Sequence, residues 1–163
     1  MTTTTSPAYG SLGTITLTTS GLASSATLVA GRASTAIDNI GTDFALDALV
    51  GGTIITTATT TTNTSIMIWA YGSWDGATYT NAATGTDANL TVDVGARNLF
   101  VLLQAIANIT TTALTYTFGP CSIAQAFGGV MPVKWGLWVV QNTGTALAAG
   151  GVIKYIPIKY ASS

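Results

Sequence analysis

Residues 66–76 read IMIWAYGSWDG. In a strand, successive side chains point to opposite faces. Ile66, Ile68 and Ala70 then share one face, and Met67, Trp69 and Tyr71 share the other. Both faces are apolar, whereas a strand on the skin of a small domain turns polar groups to water on one side. The stretch reads as a strand covered twice. It ends in Trp74-Asp75-Gly76, and Asp-Gly is a strong hairpin signal, so ATYTN (77–81) is the expected returning strand.

The same period of two recurs along the chain. TITLT (14–18) puts Ile15 and Leu17 on one side, and ATLVAGRAST (26–35) is a second strand candidate. LTVDV (90–94) and LTYTF (114–118) alternate, while LFVLLQAI (99–106) is apolar on both sides. VKWGLWVVQNTG (133–144) sets Val133, Trp135, Leu137 and Val139 against Lys134, Gly136, Trp138 and Val140. GVIKYIPIKY (151–160) carries Pro157, which places it at a sheet edge or a bulge. Helix is nearly absent. SIAQAFG (122–128) is the best candidate, stopped by Gly128–Gly129. FALDALV (44–50) stays open between a short helix capped by Asp43 and a strand leading into GGTIITTATTTT.

Eight to ten short strands with turns about every ten residues predict an all-β chain. The expected fold is an antiparallel β-sandwich of jelly-roll type with at most one short helix; an up-and-down barrel is the alternative. Residues 1–13, rich in Thr with Pro7, show neither period, so they read as an extended N-terminal arm on a single 14–163 domain.

Composition narrows the function. Of 163 residues only 7% are charged, against about 25% in ordinary domains. Net charge is −1, there is no His and no Glu, and Thr supplies 31 residues. Five dispersed cations do not build the basic stripe that a phosphate backbone requires, so no nucleic-acid partner is expected. The longest strongly apolar run, Leu99 to Ala107, is too short to span a bilayer as a helix, and no membrane partner is expected. MTTTTSPAYGS shows no basic and apolar leader pattern, so the expectation is synthesis in a reducing cytoplasm. The single Cys121 reads as a small buried residue.

Without His, the Ser-His-Asp and Cys-His arrangements and the usual zinc sites are excluded. Asp43 and Asp47 share a face only if 43–50 is helical. Asp75, Asp87, Asn89 and Asp93 supply oxygen atoms but lack the spacing of a calcium loop, and turn chemistry accounts for Asp75 and Asp87. The expectation is a non-enzymatic protein with no cofactor and no metal.

Surplus apolar faces on 66–71, 99–106 and 133–140 then call for cover from the arm, from the Thr-rich connections or from other chains. A weakly charged surface repels neighbours little. Both features predict a symmetric homo-oligomer, with a trimer as the expected state. The interface candidates are Thr2, Thr3, Thr4, Thr5, Pro7 and Tyr9 on the arm, with Trp69 and Trp138 on the less aliphatic faces of their strands; Trp135 reads as core. Trp74 and the other aromatics also offer a carbohydrate-stacking platform.

Three stretches, DFALDALVGGTI (43–54), IMIWAYGSWDGATY (66–79) and TYTFGPCSIAQAFGGVMPVKWGLWVVQNTGTAL (115–147), cover about a third of the chain. In them the chain resembles tailed-bacteriophage virion structural proteins, in particular small jelly-roll head decoration (cement) proteins. The resemblance implies a β-sandwich on the outer face of a capsid, often a trimer, with the major capsid protein as partner and a terminal arm reaching a neighbour. It implies no chemistry. Tail and fibre components share the composition, which leaves a carbohydrate- or receptor-binding module as the second expectation.

Overall fold

The period-two segments pair into two antiparallel sheets that face each other as a sandwich. The computed structural model describes residues 5–40 and 44–162. The strands are β1 (Thr5–Tyr9), β2 (Gly13–Thr14), β3 (Ala30–Ala33), β4 (Ile37–Asp38), β5 (Asp47–Ile55), β6 (Thr64–Ser73), β7 (Ala88–Thr91), β8 (Val101–Asn108), β9 (Thr115–Ser122), β10 (Lys134–Gln141) and β11 (Val152–Ser162). A helical turn, α1 (Ile123–Ala126), follows β9.

One sheet runs β1-β11-β5-β9, with β2 continuing beyond β1 along β11. The other runs β7-β3-β10-β6-β8, with β4 continuing beyond β3 along β10. The chain crosses between sheets from β2 to β3, β4 to β5, β5 to β6, β8 to β9, β9 to β10 and β10 to β11. Between the sheets lie Val50, Ile54, Ile66, Ile68, Phe118, Trp135, Leu137 and Ile153, all buried. These are alternate residues of their strands, so one face of each sheet makes this core. No helix among the described residues is long and apolar enough to cross a membrane.

Local chemistry explains α1. The Ser122 hydroxyl accepts from the Gln125 N–H at 3.0 Å, and Gly128 and Gly129 take positive φ just beyond the turn. This is the capped, glycine-stopped turn that the sequence predicts. Asp47 supports it from β5. Its carboxylate accepts from the Ala124 N–H at 2.8 Å and from the Ser122 hydroxyl at 2.7 Å. Segment 44–50 is therefore largely strand, and Asp47 caps α1 from another element; Asp43 lies outside the described residues.

Two further expectations change. Residues 77–81 do not return as a strand: only Tyr79 bridges Ser73, and the neighbours of β6 are β10 and β8. Asp75 closes the turn instead, its carboxylate accepting from Ala77 N–H, Thr78 N–H and Ser73 Oγ. The described part of the N-terminal segment is no free arm either. Thr5 to Tyr9 pair with Ser162 to Ile158, so β1 forms the sheet edge. Pro157 sits where β1 and β2 part. Its carbonyl accepts from Gly10 N–H at 2.7 Å, so its missing N–H faces that break, as proline requires.

Candidate functional site

The second apolar face of the six-stranded sheet is covered by the chain itself. Trp69, Tyr71, Trp138 and Val140 point away from the sandwich core and are buried with Ala83, Val92 and Phe100. The cover is the long connection from Trp74 to Phe100. Its β7 pairs with β3, and Tyr79 and Leu90 pack on the aromatic layer. Trp138 Nε1 donates to Leu90 O at 3.2 Å, and the Tyr71 hydroxyl donates to Ser34 O at 2.6 Å. Arg97 closes the far side: its guanidinium carbon lies 5.7 Å from the Trp69 ring and Nη1 donates to Leu28 O at 3.2 Å. Trp69 is 8% exposed and Trp138 0%. The expectation that these two indoles meet another chain is corrected. The connection that follows β6 in the same chain shields them.

The equivalent face of the five-stranded sheet has no such cover among the described residues. On β11, Ile153 and Tyr155 turn into the core, so Val152, Lys154, Ile156, Ile158 and Tyr160 lie on the outward side. Leu49 of β5 stands opposite Ile156, and Tyr9 and Pro7 of β1 stand opposite Ile158 and Tyr160. Tyr9 is 69% exposed, Tyr160 63% and the nearby Leu12 62%. A shallow groove of about 410 Å³ crosses this face, lined by Leu12, Leu49, Gly51, Pro120, Lys154 and Ile156. Gly51 and Gly52 keep its floor low, since a Cβ on Gly51 would lie 3.0 Å from Phe118 O. The surface offers apolar area and one cation, Lys154.

The sequence candidates divide accordingly. Thr5, Pro7 and Tyr9 are alternate residues of β1 and share this face. Thr2, Thr3 and Thr4 lie outside the described residues. Sequence reasoning missed Leu49, Ile156, Ile158 and Tyr160, although VIKYIPIKY carries the signal: its two alternating sets are both apolar.

The oxygen-rich residues do not converge. Asp87 accepts from Arg32 Nε at 2.6 Å and from the Thr18 hydroxyl, tying β3 to the 14–18 segment. Partial burial pushes its carboxyl up, but the bonds from Arg32 and Thr18 outweigh that and hold it below the usual range. Asp75 also lies well below that range, because backbone N–H groups of Thr78 and Ala77 bind its charged form. Among the described residues no three acidic, Cys or His side chains are placed to hold a metal ion. Cys121 is half-buried and burial raises its thiol, away from the reactive thiolate. Trp74 is 80% exposed beside an apolar groove of about 400 Å³ formed by Phe127, Val130, Met131, Pro132 and Val133.

Compared with known proteins, the chain matches no family model, no curated protein and no solved structure.

Proposed function

We propose that the chain is a non-enzymatic virion structural protein, a capsid decoration protein that binds the outside of a phage head and bridges neighbouring subunits. The observation that carries this reading is the uncovered apolar face built by Tyr9, Leu49, Ile156, Ile158 and Tyr160. The chain spends residues 74–100 covering the outer face of one sheet and gives the other no such cover among the described residues. A stable bare face of this kind is the mark of a surface that meets a partner. Low net charge supports close packing on a shell, since it leaves little long-range repulsion. The strand order also fits the resemblance. With β1 and β2 taken as one edge and β7 as an insertion, the sheets read β1/β2-β11-β5-β9 and β3-β10-β6-β8, which we read as the two four-stranded sheets of a jelly roll.

Binding would rest on burial of these side chains, each worth about 1.5–3 kcal/mol before association costs. Co-sedimentation of the purified chain with purified, undecorated phage heads tests the proposal. Ile156→Lys should lower the affinity about ten-fold or more while the β-sheet circular dichroism stays the same. Failure of the unaltered chain to sediment with heads, or full retention of the variant, overturns it.

Trp74 favours a second reading, a carbohydrate-binding tail or fibre module, because an exposed indole beside a groove is a stacking surface. Glycan-array binding lost on Trp74→Ala would support it, and no binding by the unaltered chain would dismiss it. Trp138 plays no part in this reading, being buried.

A further inference from the structure

A sheet edge presents unpaired N–H and C=O groups that template another strand, and proteins blunt such edges with shortness, charge, proline, bulges or cover. Most edges here are blunted. β7 has four residues and β4 two. β1 and β2 part between Tyr9 and Gly13. β9 carries Pro120, which lacks an N–H, and its register shifts opposite Val50 and Gly52.

β8 differs. It runs eight residues, VLLQAIAN, with neither a charge nor a proline. Its devices are a register shift opposite Ile68 and Trp69 and the approach of β9 and α1 beside Val101–Gln104, across an open groove. No described strand pairs with its free side. Two of its carbonyls are met by side chains: Cys121 Sγ donates to Leu103 O at 3.8 Å and Gln104 Nε2 donates to Ala105 O at 3.1 Å. Leu99, Leu102 and Ile109, on and beside the strand, are exposed.

The surroundings say what the edge accepts. The free groups are main-chain donors and acceptors, so the fitting partner is an extended strand. No residue from Asn98 to Val133 carries a charge, a span that includes β8, β9 and α1. A charged partner segment finds no countercharge there. A second copy meets no like charge, which matters because a twofold contact sets each patch against itself. We infer that β8 is the docking strand for a second copy of this chain, its β8 lying antiparallel about a twofold axis so that the two six-stranded sheets become continuous. This does not rest on the decoration reading, and it gives a dimer where the resemblance implies a trimer.

Sedimentation velocity of the full chain, from low micromolar to millimolar concentration, tests the inference. The expected result is a species of twice the chain mass. Leu102→Lys and Ala107→Lys, at exposed positions of β8, should each return it to single-chain mass with circular dichroism unchanged. Val152→Lys, on the outer face of the other sheet, should leave the dimer intact. A chain that stays single at every concentration, a threefold mass, or a dimer that survives both β8 variants overturns the inference; so does a dimer lost through Val152→Lys alone. Hydrogen exchange of the unaltered chain reads the same edge without any variant: protection at Val101–Asn108 should rise with concentration, and protection independent of concentration overturns the inference.

Discussion

Trp138 stands directly opposite Trp69 in the β6–β10 ladder, and both indoles lie under a connection that belongs to neither strand. The pair makes the outer face of the six-stranded sheet a second hydrophobic core. Phe100 lies 5.4 Å from the Trp138 ring, and Tyr71 lies 6.2 Å from Phe100 and 5.8 Å from Tyr79. Aromatic rings at such spacings add to the area they bury. Glycines make room for them: the Tyr71 ring crosses Gly136, its cross-strand neighbour, and the Trp138 indole lies under Gly31.

Trp138→Ala should cost about 3–5 kcal/mol, the range for emptying a buried aromatic site. Urea unfolding measures it, and loss of the near-ultraviolet dichroism of the aromatic layer should accompany it. A cost near zero would mean that the 74–100 connection does not cover the indole in solution.

Gly31→Ala tests the same layer from the opposite direction. A Cβ there would press on the Val139 carbonyl oxygen and sit 2.7 Å from the Trp138 ring. Overpacking of this kind costs about 1–3 kcal/mol, so the unfolding midpoint should fall although a methyl group is gained. An unchanged or higher midpoint would show that both the indole and the Val139 backbone have room to move.

Gln141 should be intolerant of an apolar replacement despite its full burial. Its Nε2 donates to Leu22 O and Thr145 O, and its Oε1 accepts from Thr143 N–H and Oγ1. Gln141→Leu keeps the volume but strands the Thr143 N–H, at about 1–3 kcal/mol for the group left unpaired, while Leu22 O keeps its bond from Leu147 N–H. Thermal unfolding should show a drop larger than that of Val152→Lys, a surface change.

Tyr71 gives the fold an alkaline limit. Burial pushes its hydroxyl up to about 12 from an ordinary 10. The unfolded chain releases this proton first, so stability is fully present below pH 10 and falls as pH rises towards about 12. Tyr71→Phe should lose about 1 kcal/mol at neutral pH, through the orphaned Ser34 carbonyl, yet show a shallower loss above pH 10. Urea midpoints on either side of pH 10 check the slope.

Asp87 sets the opposite limit. Its carboxyl is lowered in the folded chain, so its contribution is present above the ordinary value of 3.8 and is lost as pH falls through and below it. Asp87→Asn should therefore lower the thermal midpoint at neutral pH and flatten its decline in acid. Equal slopes for both proteins would show that Arg32 and Thr18 do not hold the charge.

Local patterns were legible because their causes are local. Ser122 and Gly128–Gly129 bracket α1 through bonds within a few residues. Apolar residues on both sides marked β6 and β10, and both faces of each are filled. The candidate site was less legible. Tyr9 stood out as an aromatic residue in a polar segment, but its partner Ile158 is 149 positions away. Ile156 and Leu49 meet only across the β5–β11 ladder.

By itself, the sequence determined that this chain is all-β, weakly charged, and richer in apolar faces than a single two-sheet core accommodates. Alternation and composition are properties of neighbours along the chain, and they suffice for that. Only the tertiary structure decided which surplus face is hidden. Trp69 and Trp138 go under residues 74–100, while Tyr9 and Tyr160 stay outside, because burial depends on which segment crosses which sheet. That crossing is set by long-range pairing such as β7 with β3, and no periodicity along the chain encodes it.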